Sequence, residues 1–581
     1  MSSPFFGLDI GASALRAAQQ LLDTAAHNVA NANTPGYSRQ RVTVVASTPY
    51  TMPAFNRSGL PGQIGSGVTV QAITRVRDNF LDLQVQAQTA LKSEWDTRQT
   101  ELSKVESIFP EPSDSGLGSQ ISKYWNAWQD VASDPTSTAA RTALTEQAAS
   151  LSMEFNRDST QLDMMAKGID SPVSAAVTTV NDLAKQIASL NGQIHLVTAT
   201  GDHANDLMDQ REQLVEQLSA IVPVNVLSNP DGTIGVYVGG TDLVSNTSAR
   251  QMVAATDVNG HITPTWADGS AVSLPTGQMK ALLDVRDGDL AGFQAQLNSL
   301  AQGIADATNK IHQSGVDANG NAGQALFTYR PGDAAGTLAV NPAIAGDPRL
   351  VAASGAPNAP GDGSVAGLLA DLQNAKSYAA GVPGTDITGG MNLITNTAAR
   401  LRTIATDSAV AQTYTFSSTA PNTLTLTGAD GSTETINVAN MAAGGTQVLN
   451  FSQLGVQMTV SAGAAGKSAA DLLTDFTTPG HDTLIAASMY AQPQTTSDYY
   501  AGLVGKVGTA SSQAQEMSKN QQLVVDQLTN RVSAVSGVSL DEEATDMVRF
   551  QHAYQAAARV ITTMDEMLNT LINGTGLVGR G

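Results

Sequence analysis

The chain has 581 residues, enough for several domains, and carries 52 Asp and Glu against 31 Lys and Arg, for a net charge of -21. This excess of negative charge argues against a surface that wraps nucleic-acid phosphates or inserts into anionic lipid. Because cysteine is absent, disulfides, thiol nucleophiles and thiolate metal sites are excluded. No run approaches 18 apolar residues and the start lacks a secretory-signal pattern, so we expect any export to proceed without a cleaved signal peptide.

The N-terminal segment predicts a long helix with a heptad repeat. Large apolar residues recur every seven positions, forming a rail, which here means a line of residues along one helix face: Leu8, Leu15, Leu22 and Val29. A second rail of small residues follows three positions after each: Gly11, Ala18, Ala25 and Ala32. Ser3 and Pro4 predict the start of this helix, and the stretch 31–36 predicts its stop.

The C-terminal segment has the same pattern. Its first rail consists of Leu540, Met547, Tyr554, Ile561 and Leu568, and its second of Phe550, Ala557, Met564 and Leu571. Only Glu543 interrupts the second rail. Ser539 and Glu542 stand at capping-box spacing, and Asn573-Gly574 predicts the end of the helix.

Both terminal helices need a partner surface, since isolated helices of this kind are marginal in water. Two arrangements remain open, namely an intramolecular coiled coil and packing between neighbouring subunits. Under the second arrangement we expect residues 1–40 and 540–581 to be mobile in the free monomer.

The middle of the chain changes character twice, which predicts an α+β multidomain fold. Helical patterns cover about 75–109, 121–131, 135–221, 279–313 and 497–535, whereas period-two patterns at 224–265 and 413–460 predict strands. The predicted domains are a terminal helical domain at 1–70 and 537–581, a discontinuous mainly helical domain at 71–222, 276–404 and 464–536, a β-rich segment at 223–275, and a variable β insertion at 405–463.

Several stretches are similar to one protein family. Residues 21–42, with Asn-Thr-Pro-Gly-Tyr-Ser-Arg-Gln at 33–40, closely resemble the N-terminal signature of flagellar rod, hook and hook-associated proteins. The Tyr-Ser-Arg-Gln ending and the run Ser-Gly-Val-Ser-Leu-Asp-Glu-Glu at 536–543 are most similar to the hook-associated protein 1 group. Further stretches that agree with this group are 206–214, 312–323, 338–342, 549–556 and 565–572. The β segment at 413–460 and the tail at 574–581 depart from the family pattern.

The resemblance implies a structural, non-enzymatic subunit of the bacterial flagellum that joins hook to filament and polymerises through its terminal helices in an inner layer. It implies an extracellular position and export by the flagellar type III apparatus. The implied partners are the hook protein, a second hook–filament junction protein, further copies in a ring or helical turn, and a cytoplasmic export chaperone at the C-terminal end. The alternatives are a hook or distal-rod protein, or a flagellar scaffold carrying an adhesive outer domain.

The predicted subunit-interface residues lie on the rails and in the turn after the first helix. They are Leu8, Leu15, Leu22, Val29, Asn31, Asn33, Pro35, Gly36, Tyr37, Leu540, Met547, Phe550, Tyr554, Ile561, Met564 and Leu568. For the turn, Pro35-Gly36 alone would explain a helix stop. The resemblance adds that this turn lies where neighbouring subunits meet.

No catalytic, cofactor or metal site is predicted. The seven histidines include no His-Glu-x-x-His pair, and nucleotide-binding and nucleophile-elbow motifs are missing from the sequence. Asp317, Asn319 and Asn321 imitate the start of a calcium loop, but the loop's glycine and glutamate are replaced, so we predict an ordinary turn. Trp125 and Trp128, three residues apart, are predicted to be core residues rather than a recognition patch.

Overall fold

The computed structural model describes residues 5–49, 65–375, 377–381, 391–392, 412–428, 431–442, 446–451, 454, 456–461, 468–477, 483–488 and 494–574. The chain forms two compact units. The first comprises Met1–Gln99, Ile169–Leu283 and Ala514–Gly581, and the second Thr100–Gly168 and Asp284–Gln513. The predicted start of the first helix at Ser3-Pro4 and the tail from residue 575 lie outside the described residues.

Long helices and several antiparallel sheets make up the described chain, which confirms the α+β multidomain prediction. The helices are α1 (Phe6–Ala30), α2 (Asn79–Glu106), α3 (Leu117–Ser133), α4 (Thr138–Gly168), α5 (Asp170–Ala199), α6 (Asn205–Ile221), α7 (Gln278–Asp284), α8 (Ala291–Ser314), α9 (Ala334–Thr337), α10 (Pro342–Gly346), α11 (Ser364–Asp371), α12 (Ala469–Thr477), α13 (Thr496–Ser536) and α14 (Leu540–Gly574). A π-helical segment, Val285–Leu290, joins α7 to α8, and a 3-10 turn spans Pro348–Leu350.

The strands are β1 (Gln40–Ala46), β2 (Val68–Arg75), β3 (Asn225–Ser228), β4 (Ile234–Val238), β5 (Thr241–Ser245), β6 (Ser248–Ala249), β7 (Met252–Thr256), β8 (Ile262–Trp266), β9 (Phe327–Thr328), β10 (Ala339–Val340), β11 (Ser377–Gly381), β12 (Met391–Asn392), β13 (Gln412–Ser417), β14 (Thr423–Gly428), β15 (Thr433–Asn437), β16 (Thr446–Phe451), β17 (Val456–Ser461) and β18 (Thr483–Ser488). All strand pairs in the described residues are antiparallel.

The first unit pairs the two terminal helices. The small-residue rail of α1 packs on α14, because Gly11, Ala18 and Ala25 are buried and a Cβ added at Gly11 would lie only 2.8 Å from Cγ1 of Ile561. The large-residue rail of α1 is half-buried. Small residues therefore let the two helix backbones approach closely, and the predicted rails pack against each other within one chain.

A β-hairpin not predicted from the sequence lies beside this helix pair. β1 and β2 pair from Gln40 with Arg75 to Ala46 with Val68, and the register shifts at Thr43/Val44. The rest of the first unit has its own core, in which α5 packs on the sheet β3-β4-β5-β6 and the hairpin β7–β8, and α6 packs beside α5. Asp231 and Gly232 lie in the turn that connects β3 to β4, and Gly232 has a φ of +83°.

The second unit contains a helical core and a β-rich part. Trp125 and Trp128 of α3 are fully buried, which confirms their prediction as core residues. The predicted turn at Asp317 is also confirmed, because its carboxylate accepts the backbone N–H groups of Asn319 and Asn321, both at 2.8 Å. In the β-rich part, β11 and β18 join β13–β15 in one sheet, so that sheet includes strands outside the predicted 405–463 insertion. The predicted domain division itself remains a prediction.

His312, on α8 in the second unit, is fully buried next to Trp128. Its Nε2 accepts the backbone N–H of Ala352 at 2.8 Å, so the proton is on Nδ1, which donates to the carbonyl of Gln324 at 2.5 Å. Burial lowers the pKa of His312 to about 4, because the charged imidazolium would lose its hydration. The native protein therefore holds this side chain neutral.

This neutral histidine predicts a loss of stability in acid. His312 takes up a proton near pH 6.5 in the unfolded chain but only near pH 4 in the native chain. Its contribution to the free energy of unfolding therefore decreases as the pH is lowered from about 6.5 to about 4. We expect the difference in unfolding free energy between wild type and His312→Gln to shrink by roughly 3 kcal/mol across that window. Urea unfolding followed by tryptophan fluorescence measures it.

Asp158 titrates in an overlapping pH range. Burial raises its pKa to about 7, so its contribution to the free energy of unfolding increases as the pH is lowered, opposite to that of His312. Because Asp158 is present in both proteins, its contribution cancels in the difference between them. A difference in unfolding free energy that does not change with pH would contradict a neutral buried His312.

Candidate functional site at the junction of the terminal helices

The segment after α1 folds into a compact turn, as predicted. Asn31 caps the helix by donating its side-chain amide to the carbonyl of His27 at 3.1 Å. The backbone N–H of Thr34 then bonds the carbonyl of Asn31 at 2.9 Å, and that of Tyr37 bonds the carbonyl of Thr34 at 3.2 Å. These bonds reverse the chain between α1 and β1.

Gly36 is required at this turn by its backbone and by its neighbour. Its φ is +75°, in the left-handed region that favours glycine. An added Cβ would lie 2.5 Å from the side chain of Gln213 on α6, which donates to the carbonyl of Pro35 at 2.6 Å. The turn is therefore fitted against α6.

Asn28 connects the end of α1 to the start of β1. Its buried amide donates to the carbonyl of Gln40 and accepts that residue's N–H, both at 2.9 Å. The Tyr37 hydroxyl also donates to Asn28 Oδ1 at 2.7 Å. Burial raises the pKa of Tyr37, and the carboxylates of Asp206, Asp209 and Glu543 raise it further, so the phenol remains a donor.

Glu543 of α14 meets the same group of residues. Its side chain is only 3% exposed, and its carboxylate accepts Arg39 Nε at 2.6 Å and Asn28 Nδ2 at 3.2 Å. Arg39 also donates to Glu542 at 2.8 Å, but Glu542 is 63% exposed. Burial alone would lower the pKa of Arg39, but Glu543 and Glu542 raise it, so the guanidinium stays charged. The residue that interrupts the C-terminal rail is thus a buried ion-pair partner.

Asp209 of α6 forms the other half of the site. Its buried carboxylate accepts the N–H and the hydroxyl of Ser38, at 2.9 and 2.7 Å, and Arg75 of β2 at 2.8 Å. Arg77 donates to the same carboxylate at 3.5 Å and makes a two-bond pair with Asp82 on α2. The consecutive residues Ser38 and Arg39 therefore bind two different helices, α6 through Asp209 and α14 through Glu543.

We call this arrangement the signature cluster. It consists of Asn28, Tyr37, Ser38, Arg39, Gln40, Arg75, Arg77, Asp209 and Glu543. It joins α1, α6, α14 and the β1–β2 hairpin through ion pairs and hydrogen bonds, an arrangement suited to holding elements together. In the described part of the chain, no group of His, Asp or Glu side chains could hold a metal ion, and no helix is long and apolar enough to cross a membrane.

The predicted interface residues are distributed around this cluster. Tyr37 belongs to it, whereas Asn33, Pro35 and Gly36 are exposed in the turn and Leu540 is exposed at the start of α14. The other predicted rail residues are half-buried along the α1–α14 pair. Their role between subunits remains a prediction.

Sequence reasoning missed Asp209, Arg75 and Arg77, and it noted Glu543 only as an interruption. Two signals were present. A charged residue on an otherwise apolar rail indicates a buried polar partner, and Asp209 lies in the stretch 206–214 that resembles the family.

Removing the buried charge should loosen the helix pair. In Glu543→Gln, Arg39 loses its buried carboxylate, and breaking such a pair costs about 3–5 kcal/mol. Because each 1.4 kcal/mol changes the population of the open form about tenfold, we expect trypsin to cleave the free protein after Arg549 and Arg559 of α14 on the order of a hundredfold or more faster than in wild type. Mass spectrometry of the time course measures both sites.

Glu542→Gln is the matched control, because it also replaces a carboxylate that accepts from Arg39 by an amide, but at an exposed side chain. Exposed pairs contribute under about 1 kcal/mol, so cleavage should stay close to the wild-type rate. Equal cleavage of the two variants would show that the buried pair does not hold α14.

Comparison with known proteins identifies related sequences. The model of the helical domain of the flagellar hook-associated protein FlgK matches residues 102–327. A model of the C-terminal part of the basal body rod proteins FlgEFG matches 532–574, and one of the basal body rod proteins matches 8–37.

Three curated relatives named flagellar hook-associated protein 1 align over nearly their whole length. Those of Escherichia coli and Salmonella typhimurium are 30% and 31% identical, each alignment covering 97% of this chain and 98% of the relative. That of Bacillus subtilis is 29% identical over 100% of both chains. A solved structure, the flagellar hook junction protein FlgK from Burkholderia pseudomallei, is 20% identical over 78% of this chain and 100% of that chain, with a TM-score of 0.48. The chain therefore belongs to the flagellar hook-associated protein 1 family and is a structural component of the bacterial flagellum.

Proposed function

We propose that the chain joins the flagellar hook to the filament, that it assembles through its terminal helices, and that it has no catalytic activity. The observation that carries this proposal is the α1–α14 pair. The rails of the two helices pack against each other on its inner face. Three apolar side chains of α14 are instead exposed to solvent: Val548, Val560 and Met567, at 54%, 44% and 57%. Exposed apolar side chains along one helix suit contact with a neighbouring subunit.

The partners proposed are the hook protein, a second hook–filament junction protein, and further copies of this chain in a ring or helical turn. The relatives' name, hook-associated protein, supports contact with the hook. The matches of rod-protein models to 8–37 and 532–574 support a terminal segment shared with other axial flagellar proteins. A cytoplasmic chaperone at the C-terminal end, export without a cleaved signal, and an extracellular position complete the proposal.

The domain division fits this role. In this proposal, residues 1–70 and 537–581 form the polymerisation domain. The other predicted domains lie further from the assembly axis: the helical residues 71–222, 276–404 and 464–536, and the β segments 223–275 and 405–463. Full-length alignment with hook-associated protein 1 favours the junction over a hook or distal-rod role, since the rod models match only the two ends.

A deletion strain tests the proposed function directly. Electron microscopy of cells lacking the chain should show complete hooks without filaments, and the wild-type gene should restore the filaments. Cells that lack hooks would indicate a hook or rod role. Cells that retain normal filaments would contradict the proposal altogether.

A charge placed on the inner face of the helix pair should abolish assembly while leaving the remaining core folded. Ile561 packs over Gly11, so Ile561→Asp would put a carboxylate at this close contact. We expect complemented deletion cells to export the variant but to carry few or no filaments. Because α5, α6 and β3–β8 have a separate core, the main melting transition of the purified variant should persist.

Leu196→Asp is the control, since it makes a similar change at a side chain that is 70% exposed on α5. It should support normal filaments. Normal filaments with Ile561→Asp would show that the helix pair is not needed for assembly.

A further inference from the structure

A cavity of about 210 Å³ lies between α2, α6 and the end of α13. The turn at 36–38 lines one side of it, and residues 532–537 at the end of α13 line another. The described residues that line the cavity all belong to the first unit. Its volume suits the end of one long side chain rather than a drug-sized ligand.

Carboxylates outnumber basic groups in this cavity. Three of the described residues that line it are acidic, namely Asp82, Glu212 and Glu216, and Arg77 is the one basic residue among them. Arg77 already makes two bonds to Asp82, at 2.8 and 3.2 Å. Glu212 lies 3.6 Å from the guanidinium of Arg211. One acidic group, Glu216, is left over.

Glu216 of α6 has no positively charged group of its own. Within the described part of the chain, its carboxylate has no hydrogen-bond or ion-pair partner. Burial raises its pKa; Arg77 opposes this shift, whereas Asp82 adds to it. A cation that reached this carboxylate would therefore find it without a competing partner.

Gln86 lies on the α2 side of the same cavity. The residue is only 7% exposed, and its Oε1 accepts no hydrogen bond from any described residue. A buried carbonyl oxygen without a donor is destabilising. Gln86 therefore favours a ligand that donates an N–H or O–H group.

The end of α13 adds negative partial charge to the cavity. The carbonyl groups in the last turn of a helix carry the negative end of its macrodipole, and basic side chains often balance it. The last turn of this 41-residue helix contains no basic residue. The free carboxylate, the buried amide oxygen and the helix end thus favour the same kind of ligand, a cation with N–H donors.

We propose that this cavity binds the ammonium group of an organic amine. An alkylammonium has three N–H donors, which suit the Glu216 carboxylate, Gln86 Oε1 and an oxygen at the end of α13. A metal ion fits less well, because no group of three metal-ligating side chains occurs in the described chain. A free amine and a lysine side chain of a protein partner present the same ammonium group. Binding would connect α2, α6 and α13 in the free monomer, independently of the proposed function.

Isothermal titration calorimetry of the full chain tests the proposal with two probes, putrescine and the peptide N-acetyl-glycyl-lysyl-glycinamide. Because the chain is acidic, the titrations are made at about 0.15 M salt, where contacts between exposed charges are weakened. We expect at least one probe to bind one site with a Kd on the order of 1 mM or below. Glu216→Gln and Gln86→Leu should each weaken that binding about tenfold or more.

Two further variants sharpen the test. Ser533→Lys places an ammonium beside the cavity at an exposed position of α13, so it should compete with the probe and abolish binding. Glu516→Gln is the matched control for Glu216→Gln, because it removes an exposed carboxylate of α13 outside the cavity. It should bind as wild type does. Circular dichroism of each variant checks that it is folded.

Tighter binding of the peptide would assign the site to a lysine of a protein partner, and tighter binding of putrescine would assign it to a free amine. Either result supports the proposal. Absence of binding by both probes would overturn it. Equal affinity in wild type, Glu216→Gln and Ser533→Lys would also overturn it, since the amine would then bind elsewhere on the acidic surface; both substitutions are at exposed positions, so this outcome does not depend on the buried Gln86→Leu.

Discussion

The Glu543 carboxylate is buried between the two ends of the chain, where it receives Arg39 Nε at 2.6 Å and Asn28 Nδ2 at 3.2 Å. A buried carboxylate without such donors would be strongly destabilising, so its presence requires Arg39 and Asn28 to remain in place. Asn28 lies in the last turn of α1, Arg39 immediately precedes β1, and Glu543 lies in the first turn of α14. This one ion pair therefore fixes the crossing of the terminal helices relative to the hairpin.

The rest of the first unit is attached through the residues next to Arg39. Ser38 is held by Asp209, which also pairs with Arg75, so the turn that follows α1 is fastened to α6 and β2 at the same time. A family signature between 33 and 40 thus has an intrachain purpose, namely to anchor a helix pair whose outer faces remain open.

The heptad rails, the helix stop after Ala30 and the buried tryptophans could be predicted because each is written in local spacing of apolar, small and turn-forming residues. The β1–β2 hairpin was missed because its strands are separated by a long connection and carry no short turn signal. Asp209 could not be paired with Ser38 from sequence, since 171 residues separate them. Glu543 was visible as a polar residue in an apolar rail, but its partners depended on that same long-range packing.

Amide hydrogen exchange on the dilute free monomer tests most directly whether the signature cluster is what holds the terminal helices. If the cluster anchors one end of the pair, protection at Ala25–Val29 and Glu543–Met547 should exceed protection at Gly7–Gly11 and Ile561–Leu568, with a gradient along each helix. Uniform protection along both helices would indicate a coiled coil held by its rails. Absence of protection at Ala25–Val29 and Glu543–Met547 would show that the cluster forms only on assembly, and would contradict the account.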